Sequence, residues 1–333
     1  MKNWKLLSVI LAMLVFVLAA CGSSEEEAQE ETNTGSDAQT EEQTDAEESA
    51  YPVTIESTIE GYEPVTFEKA PEKIVVFDLG FLDTLTALGV EADGVPTSKY
   101  AGELEKYNND SYTKVGSLKE PDFETIYSLQ PDVIFISGRQ ASFKDQLEEI
   151  APVVFVGTSS EDYWNTFLAS TKIAADLFGA QEEVDAKVAD IEAAIEEVKT
   201  ISADAGKALV TLYSGTLSAY GPDAGSRYGF VHSVLGFESA DTALENSTHG
   251  QQVDLEYLVK VNPDVVFVVD RTQVSAEEGT VATAEFFNNE LVNKTAAAQN
   301  GKIVYLDGVN WYVANGGLNT ELAKVQEIID ELK

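Results

Sequence analysis

The chain has 333 residues, 44% of them hydrophobic, and a formal net charge of −37. That length favours two domains over one, each with a sizeable core. The acidity excludes nucleic acid and anionic lipid headgroups as electrostatic partners, because both would be repelled.

Residues 1–20 read as a signal peptide. Lys2 and Lys5 precede an apolar run of about 15 residues, too short for a membrane span. The run ends in "LAAC", and Cys21 is the single cysteine of the chain. Small residues before a cysteine resemble the lipidation site of bacterial lipoproteins, with an incidental cysteine after an ordinary signal as the alternative. Two acyl chains on Cys21 would anchor the protein stably, at about 0.8 kcal/mol per buried methylene. A sole cysteine also means that no internal disulfide staples the fold. Residues 21–50 then form an acidic tether. Between residues 22 and 49 there is no Lys, Arg or aromatic residue, so the segment has too little apolar surface to fold. A flexible chain of that length spans roughly 30 Å. The folded part begins near Tyr51.

From there, short apolar runs alternate with helix-like stretches. "KIVVF" (73–77), "DVIFIS" (132–137), "PVVFVG" (152–157), "ALVTLY" (208–213), "DVVFVVD" (264–270) and "KIVYL" (302–306) are predicted strands. They are continuous in Val, Ile and Phe, as strands covered on both faces are. "FLDTLTALG" (81–89) and "FVHSVLG" (230–236) are predicted helices closed by Gly89 and Gly236. Strand–helix alternation implies mainly parallel sheets flanked by helices. Residues 181–203 differ: Val184, Val188, Ile191, Ile195 and Val198 make one stripe of a long helix with no internal breaker. It divides the folded part into an N-terminal lobe, 51–180, and a C-terminal lobe, 204–333, and is predicted to connect them.

A repeat supports that division. "DFETIYSLQPDVIFISGRQ" (122–140) returns 132 residues later, without a gap, as "DLEYLVKVNPDVVFVVDRT" (254–272). Asp122, Glu124, Pro131, Asp132 and Arg139 match Asp254, Glu256, Pro263, Asp264 and Arg271. Each Arg stands just past the C-terminal end of a predicted strand, where parallel α/β sheets bind ligands. The chain has three arginines in all: Arg139, Arg227 and Arg271. Arg227 lies in the Gly-rich loop "GPDAGSRYGF". A loop arginine is ordinarily just solvated, but three guanidiniums meeting in a cleft between facing halves would hold a multiply charged anion.

The remaining candidates are few. His232 sits inside a predicted helix and reads as structural. His249 lies in the polar loop "NSTHGQQ". Trp311 and Tyr312, in "GVNWYVANGG", could form an aromatic wall or pack in the core. No nucleophile elbow, phosphate-binding loop or H-E-x-x-H zinc motif is present, and the chain has only two histidines.

Taken together, the lipidation site, acidic tether, linking helix, "GSRYGFVHSVLGF" and the two repeat units resemble the substrate-binding lipoproteins of iron–siderophore ABC importers, from about Tyr51 to the C-terminus. The resemblance implies two α/β lobes joined by one backbone helix, with the ligand held between them. It implies a catecholate or petrobactin-like ferric siderophore as transported ligand, with no permanent cofactor, held by Arg139, Arg227 and Arg271. His249 and Tyr312 match positions that complete iron coordination in some relatives. Glu124 and Glu256 match the acidic residues that dock each lobe on the permease and ATPase complex. The implied protein is a monomer on the outer face of the cytoplasmic membrane, in a bacterium of Gram-positive type. A haem or cobalamin receptor of the same fold, and a surface-anchored enzyme or adhesin, stand as the other readings.

Overall fold

The structure, a computed structural model, describes residues 51–333. The signal peptide, Cys21 and the tether lie outside the described residues. The chain opens on an antiparallel ribbon, β1 (Val53–Ile55) against β2 (Val65–Phe67). The N-terminal lobe is built on β3 (Ile74–Val76), β4 (Gly94–Thr97), β5 (Thr113–Ser117), β6 (Val133–Ile136) and β7 (Val153–Phe155). They pair in parallel in the order β5-β4-β3-β6-β7. Because side chains alternate along a strand, Ile74, Val76, Val133 and Phe135 enter one apolar cluster, while Val75, Ile134 and Ile136 enter another. Both faces are therefore covered, which is why these strands read as unbroken apolar runs. The lobe's helices are α1 (Leu79–Ala87), α2 (Phe123–Leu129), α3 (Lys144–Glu148) and α4 (Tyr163–Phe178).

The linking helix α5 (Gln181–Ala205) has 25 residues, two more at its end than predicted, and stops at Gly206 with φ 85°. At 1.5 Å per residue it is about 37 Å long. Val184, Ile191, Ile195 and Val198 of its stripe are buried, and Val188 packs at the edge of the same cluster.

The C-terminal lobe carries β8 (Lys207–Tyr213), β9 (Leu217–Tyr220), β10 (Glu238–Ser239), β11 (Gln251–Val253), β12 (Val265–Asp270) and β13 (Ile303–Asp307). The order is β11-β9-β8-β12-β13, with β10 beside the start of β8. The strands β8, β12 and β13 are parallel, whereas β9 and β11 run antiparallel at one edge. Its helices are α6 (Phe230–Ser233), α7 (Leu255–Val261), α8 (Thr283–Phe287), α9 (Ala296–Gln299) and α10 (Leu318–Leu332). The helix predicted over 230–236 shrinks to the single turn α6.

The sequence repeat is a structural repeat down to single dihedrals. Asp122 caps α2 by accepting from Thr125 N–H, and Asp254 caps α7 by accepting from Tyr257 N–H. Both helices end on a left-handed residue, Gln130 at φ 51° and Asn262 at φ 49°. The next carboxylates anchor a neighbouring strand: Asp132 accepts from Lys73 N–H and Asp264 from Lys207 N–H, each at 2.9 Å.

One feature was not predicted: α5 is not the sole brace between lobes. Helix α10 lies along α5 and also meets α1 of the other lobe. Asp83 of α1, buried, accepts from Asn319 N–H at 2.8 Å and from Thr320 N–H at 2.9 Å, so an N-lobe carboxylate caps the last helix of the chain.

Candidate functional site

In the N-lobe sheet the strand order reverses between β3 and β6. In the C-lobe sheet it reverses between β8 and β12. Ligands of open α/β sheets bind beyond the carboxyl ends at such points. Here the two ends share a cleft of about 410 Å³. Its N-lobe wall carries Asp78 (after β3), Ser137 and Arg139 (after β6), Thr158 and Ser160 (after β7) and Tyr163. Its C-lobe wall carries Arg227, Thr248, His249, Tyr312 and Asn315.

Each of the three arginines reaches Tyr312. Arg139 donates from Nη2 to the Tyr312 carbonyl at 3.3 Å, across the lobes. The guanidinium carbons of Arg227 and Arg271 stand 4.9 and 4.8 Å from the Tyr312 ring centroid, close enough for cation–π attraction. Arg227 is further tied by Nε to the Thr248 carbonyl at 2.9 Å. Arg271 Nε is buried with no hydrogen-bond partner among the described residues. No carboxylate of the described residues forms an ion pair with any of the three.

The turn that presents Tyr312 is made by local chemistry. It is a wide π-type turn, Val309–Val313, a conformation frequent at functional sites. Asp307 accepts from the N–H groups of Val309 and Asn310 at its entrance. Gly308 lets the turn pass against the neighbouring strand, since a Cβ there would meet the Asp270 carbonyl oxygen at 2.1 Å. Trp311 points inward: it is 1% exposed, stacks on Phe230 at 5.7 Å and donates from Nε1 to Glu327 at 2.7 Å. The aromatic wall expected of Trp311 and Tyr312 therefore reduces to Tyr312. Successive residues of one turn face opposite ways, and the indole has its acceptor in the core.

His249 lies exposed on the cleft rim. Its carbonyl accepts from Tyr220 OH at 3.1 Å, and its N–H donates to Ser247 Oγ at 3.1 Å. His232 is structural: its Nδ1 pairs with the Phe237 carbonyl at 2.9 Å, and burial pushes its pKa down. Glu124 and Glu256 stand outside the cleft, exposed in the first turns of α2 and α7.

Sequence reasoning missed Asp78, half-buried in the N-lobe wall. It caps α1 by accepting from Phe81 N–H at 2.8 Å. Burial pushes its carboxyl up, opposed by the Phe81 N–H, the Ser137 hydroxyl and the charge of Arg139. Its place directly after "KIVVF" was the available signal, the same one that singled out Arg139. Also missed was the support of the cleft lining. Lys324 Nζ donates to Glu321 at 2.7 Å, Asn315 Oδ1 at 2.6 Å and Tyr163 OH at 3.0 Å. Phe230, Trp311 and Tyr163 rings stand 4.4, 5.0 and 5.1 Å from it. Burial pushes its pKa down, while the Glu321 charge and hydrogen bond oppose the shift.

Residues 74–309 match the model of the periplasmic binding protein family. The chain belongs to that family. As a whole it is 34% identical to the petrobactin-binding protein YclQ of Bacillus subtilis, over all of both chains. The ferric-anguibactin-binding protein FatB of Vibrio anguillarum is 31% identical over 78% of this chain and 82% of its own. The crystal structure of YclQ superposes with a TM-score of 0.78, covering 84% of this chain and 98% of that one. The catecholate-siderophore binding protein VctP of Vibrio cholerae superposes with a TM-score of 0.77 at 31% identity, covering 84% and 99%. The two-lobed α/β architecture implied by the sequence is thus the architecture of this family. Its named members are binding proteins of transporters and not enzymes.

Proposed function

We propose that this periplasmic binding protein family member is the receptor of a bacterial iron importer, taking an anionic ferric siderophore of the catecholate or petrobactin type into its interlobe cleft. The observation that carries this reading is the convergence of Arg139, Arg227 and Arg271 on Tyr312 with no carboxylate paired to them, in a chain of net charge −37. Guanidiniums bind anionic oxygens through forked, charge-assisted hydrogen bonds. A ferric tris-catecholate offers three negative charges and flat aromatic edges, which suit cations grouped around a phenol ring. The names of YclQ, FatB and VctP support the same ligand class.

No group of three or more His, Cys, Asp or Glu among the described residues is arranged to hold a metal ion. Iron would therefore arrive with the siderophore's own oxygen donors. In our reading His249 and Tyr312 add a fifth and sixth donor where a siderophore leaves positions open; phenolate oxygen is the harder and better match for iron(III). Cys21 carries the lipid that holds the receptor, a monomer, at the outer face of the membrane. Glu124 and Glu256 dock the two lobes on the permease.

The test is a fluorescence titration of the purified protein with ferric catecholates, ferric petrobactin, haemin and cobalamin. Tight quenching by the ferric complexes, weakened by salt, is expected. Tight binding of haemin or cobalamin beside silence toward every ferric complex would overturn the reading.

A further inference from the structure

Tyr312 occupies an unusual position among the cleft side chains. Arginine is long and carries roughly 2 kcal/mol of rotamer entropy, and like charges brought together repel each other: Arg139 and Arg227 line the cleft, and Arg271 joins them through the Tyr312 ring. Acidic residues commonly hold such a cluster together, yet none of the described carboxylates pairs with these three. What the three share is a single residue. Two guanidiniums lie within 5 Å of one phenol ring, and the third bonds the same residue's carbonyl. The ring's negative face attracts both cations without neutralising either. The turn beneath it is held on three sides, by the Asp307 cap, by the Gly308 passage and by Trp311 sunk into the core.

We propose that Tyr312 is a positioning residue: its ring seats Arg227 and Arg271, and its carbonyl seats Arg139, so that the cationic cluster is assembled before the ligand arrives. This deepens the proposed function and rests on it. It assigns the work to the ring and the backbone, separately from any bond between the hydroxyl and iron. Preorganisation of this kind raises affinity by reducing the ordering that binding requires. An acidic partner would hold the arginines as well, but it would then compete with the anion.

The probe is the ferric complex of a hexadentate tris-catecholamide, whose iron has no open position for a phenolate. Affinity is measured for the wild type, Tyr312→Phe and Tyr312→Leu, with Tyr312→Met as a second non-aromatic variant should leucine fail to fold. Tyr312→Phe is expected within about threefold of wild type, because the ring remains. Tyr312→Leu is expected to lose at least about tenfold. Its loss should also be largely absent in an Arg227→Ala, Arg271→Ala background, since the ring acts through those side chains. A general structural role predicts the same loss in both backgrounds. Wild-type affinity in Tyr312→Leu, equal losses in the Phe and Leu variants, or a loss that persists without the two arginines would each overturn the proposal. Failure of the wild type to bind the complex would instead overturn the catecholate reading on which the proposal rests.

Discussion

Lys324 and the three arginines are cations of one site, Lys324 bonded to Tyr163 and Asn315 of the cleft lining and the arginines gathered on Tyr312, and the fold treats them in opposite ways. Lys324 spends all three ammonium donors on Glu321, Asn315 and Tyr163, with aromatic rings closing the remaining space. The arginines are half-buried: Arg227 and Arg271 share one aromatic ring, Arg139 bonds the same residue's carbonyl, and none forms an ion pair with a carboxylate of the described residues. A buried charge must be paired within the protein or the fold loses stability. A charge left unpaired in a cleft is one that an incoming anion can complete. The first cluster should therefore govern stability and the second affinity, and substitutions can separate the two.

The largest effect is expected at Lys324. Glu321→Ala leaves the Lys324 ammonium buried with two neutral acceptors, and removing one partner of a buried pair costs about 3–5 kcal/mol. Urea unfolding should show that loss. A change under about 1 kcal/mol would mean that Lys324 gives up its proton at neutral pH, the direction in which burial already pushes it. The comparison would then fail at its stability end.

A second buried charge at the lobe junction gives a pH signature. Burial pushes the Asp83 carboxyl up to about 6 from an ordinary 3.8, against the opposing N–H donors of Thr320 and Asn319. With the folded pKa above the unfolded one, the folded state holds a proton that the unfolded state releases. The stabilisation is complete below the unfolded value and is lost as pH rises through about 6. The difference corresponds to about 3 kcal/mol. Asp83→Asn keeps an acceptor for the α10 amides and cannot titrate. Its stability should fall less than that of wild type between pH 4 and 7, and parallel profiles would rule Asp83 out as the titrating group.

At the arginines the effects are smaller and of the other kind. Arg139→Ala, Arg227→Ala and Arg271→Ala should each weaken binding of a ferric catecholate by about 1.5–3 kcal/mol, the worth of hydrogen bonds to charged groups. Unfolding midpoints should stay near the wild-type value, because no ion pair is broken. Calorimetry at low and high salt checks both halves. Lost stability with unchanged affinity would invert the comparison.

How legible these regions were in the sequence differs for a physical reason. The arginines announced themselves through the repeat, which fixed two of them past equivalent strands and carried the caps Asp122 and Asp254 with it. Lys324 was hidden. Glu321–Lys324 is a Glu-to-Lys pair three residues apart on a helix, and so is Glu196–Lys199 on α5. The first pair's side chains are 3% and 1% exposed and the second's 72% and 45%. Local pattern is the same in both; what sets them apart is the tertiary packing that closes Tyr163, Phe230, Trp311 and Asn315 around Lys324. Strand β4 was hidden in another way. "GVPT" carries a Gly and a Pro, both weak strand formers, but a Cβ at Gly94 would meet Val75, Val115 and Leu129 side chains within 3 Å, so the sheet needs the gap. Trp311 and Tyr312 were adjacent aromatics with equal claims until the turn geometry assigned one to the core and one to the cleft.

The same logic of uncompensated charge extends to the outer surface, where the smallest effect on the isolated protein is expected. Glu124 and Glu256 are exposed at matching places in the repeat, and neither pairs with a cation of the described residues. Each sits in the first turn of its helix, where the dipole favours an acid by about 0.3–1 kcal/mol. A capping role alone is already served by Asp122 and Asp254. The double variant Glu124→Ala, Glu256→Ala should therefore change stability by no more than about 1 kcal/mol and leave siderophore affinity unchanged. Iron uptake by cells carrying it should nevertheless fall, because a permease that reads both lobes loses both anionic contacts. Each single variant should lose less than the pair. Normal uptake by the double variant would confine these glutamates to their helices and remove them from the docking surface.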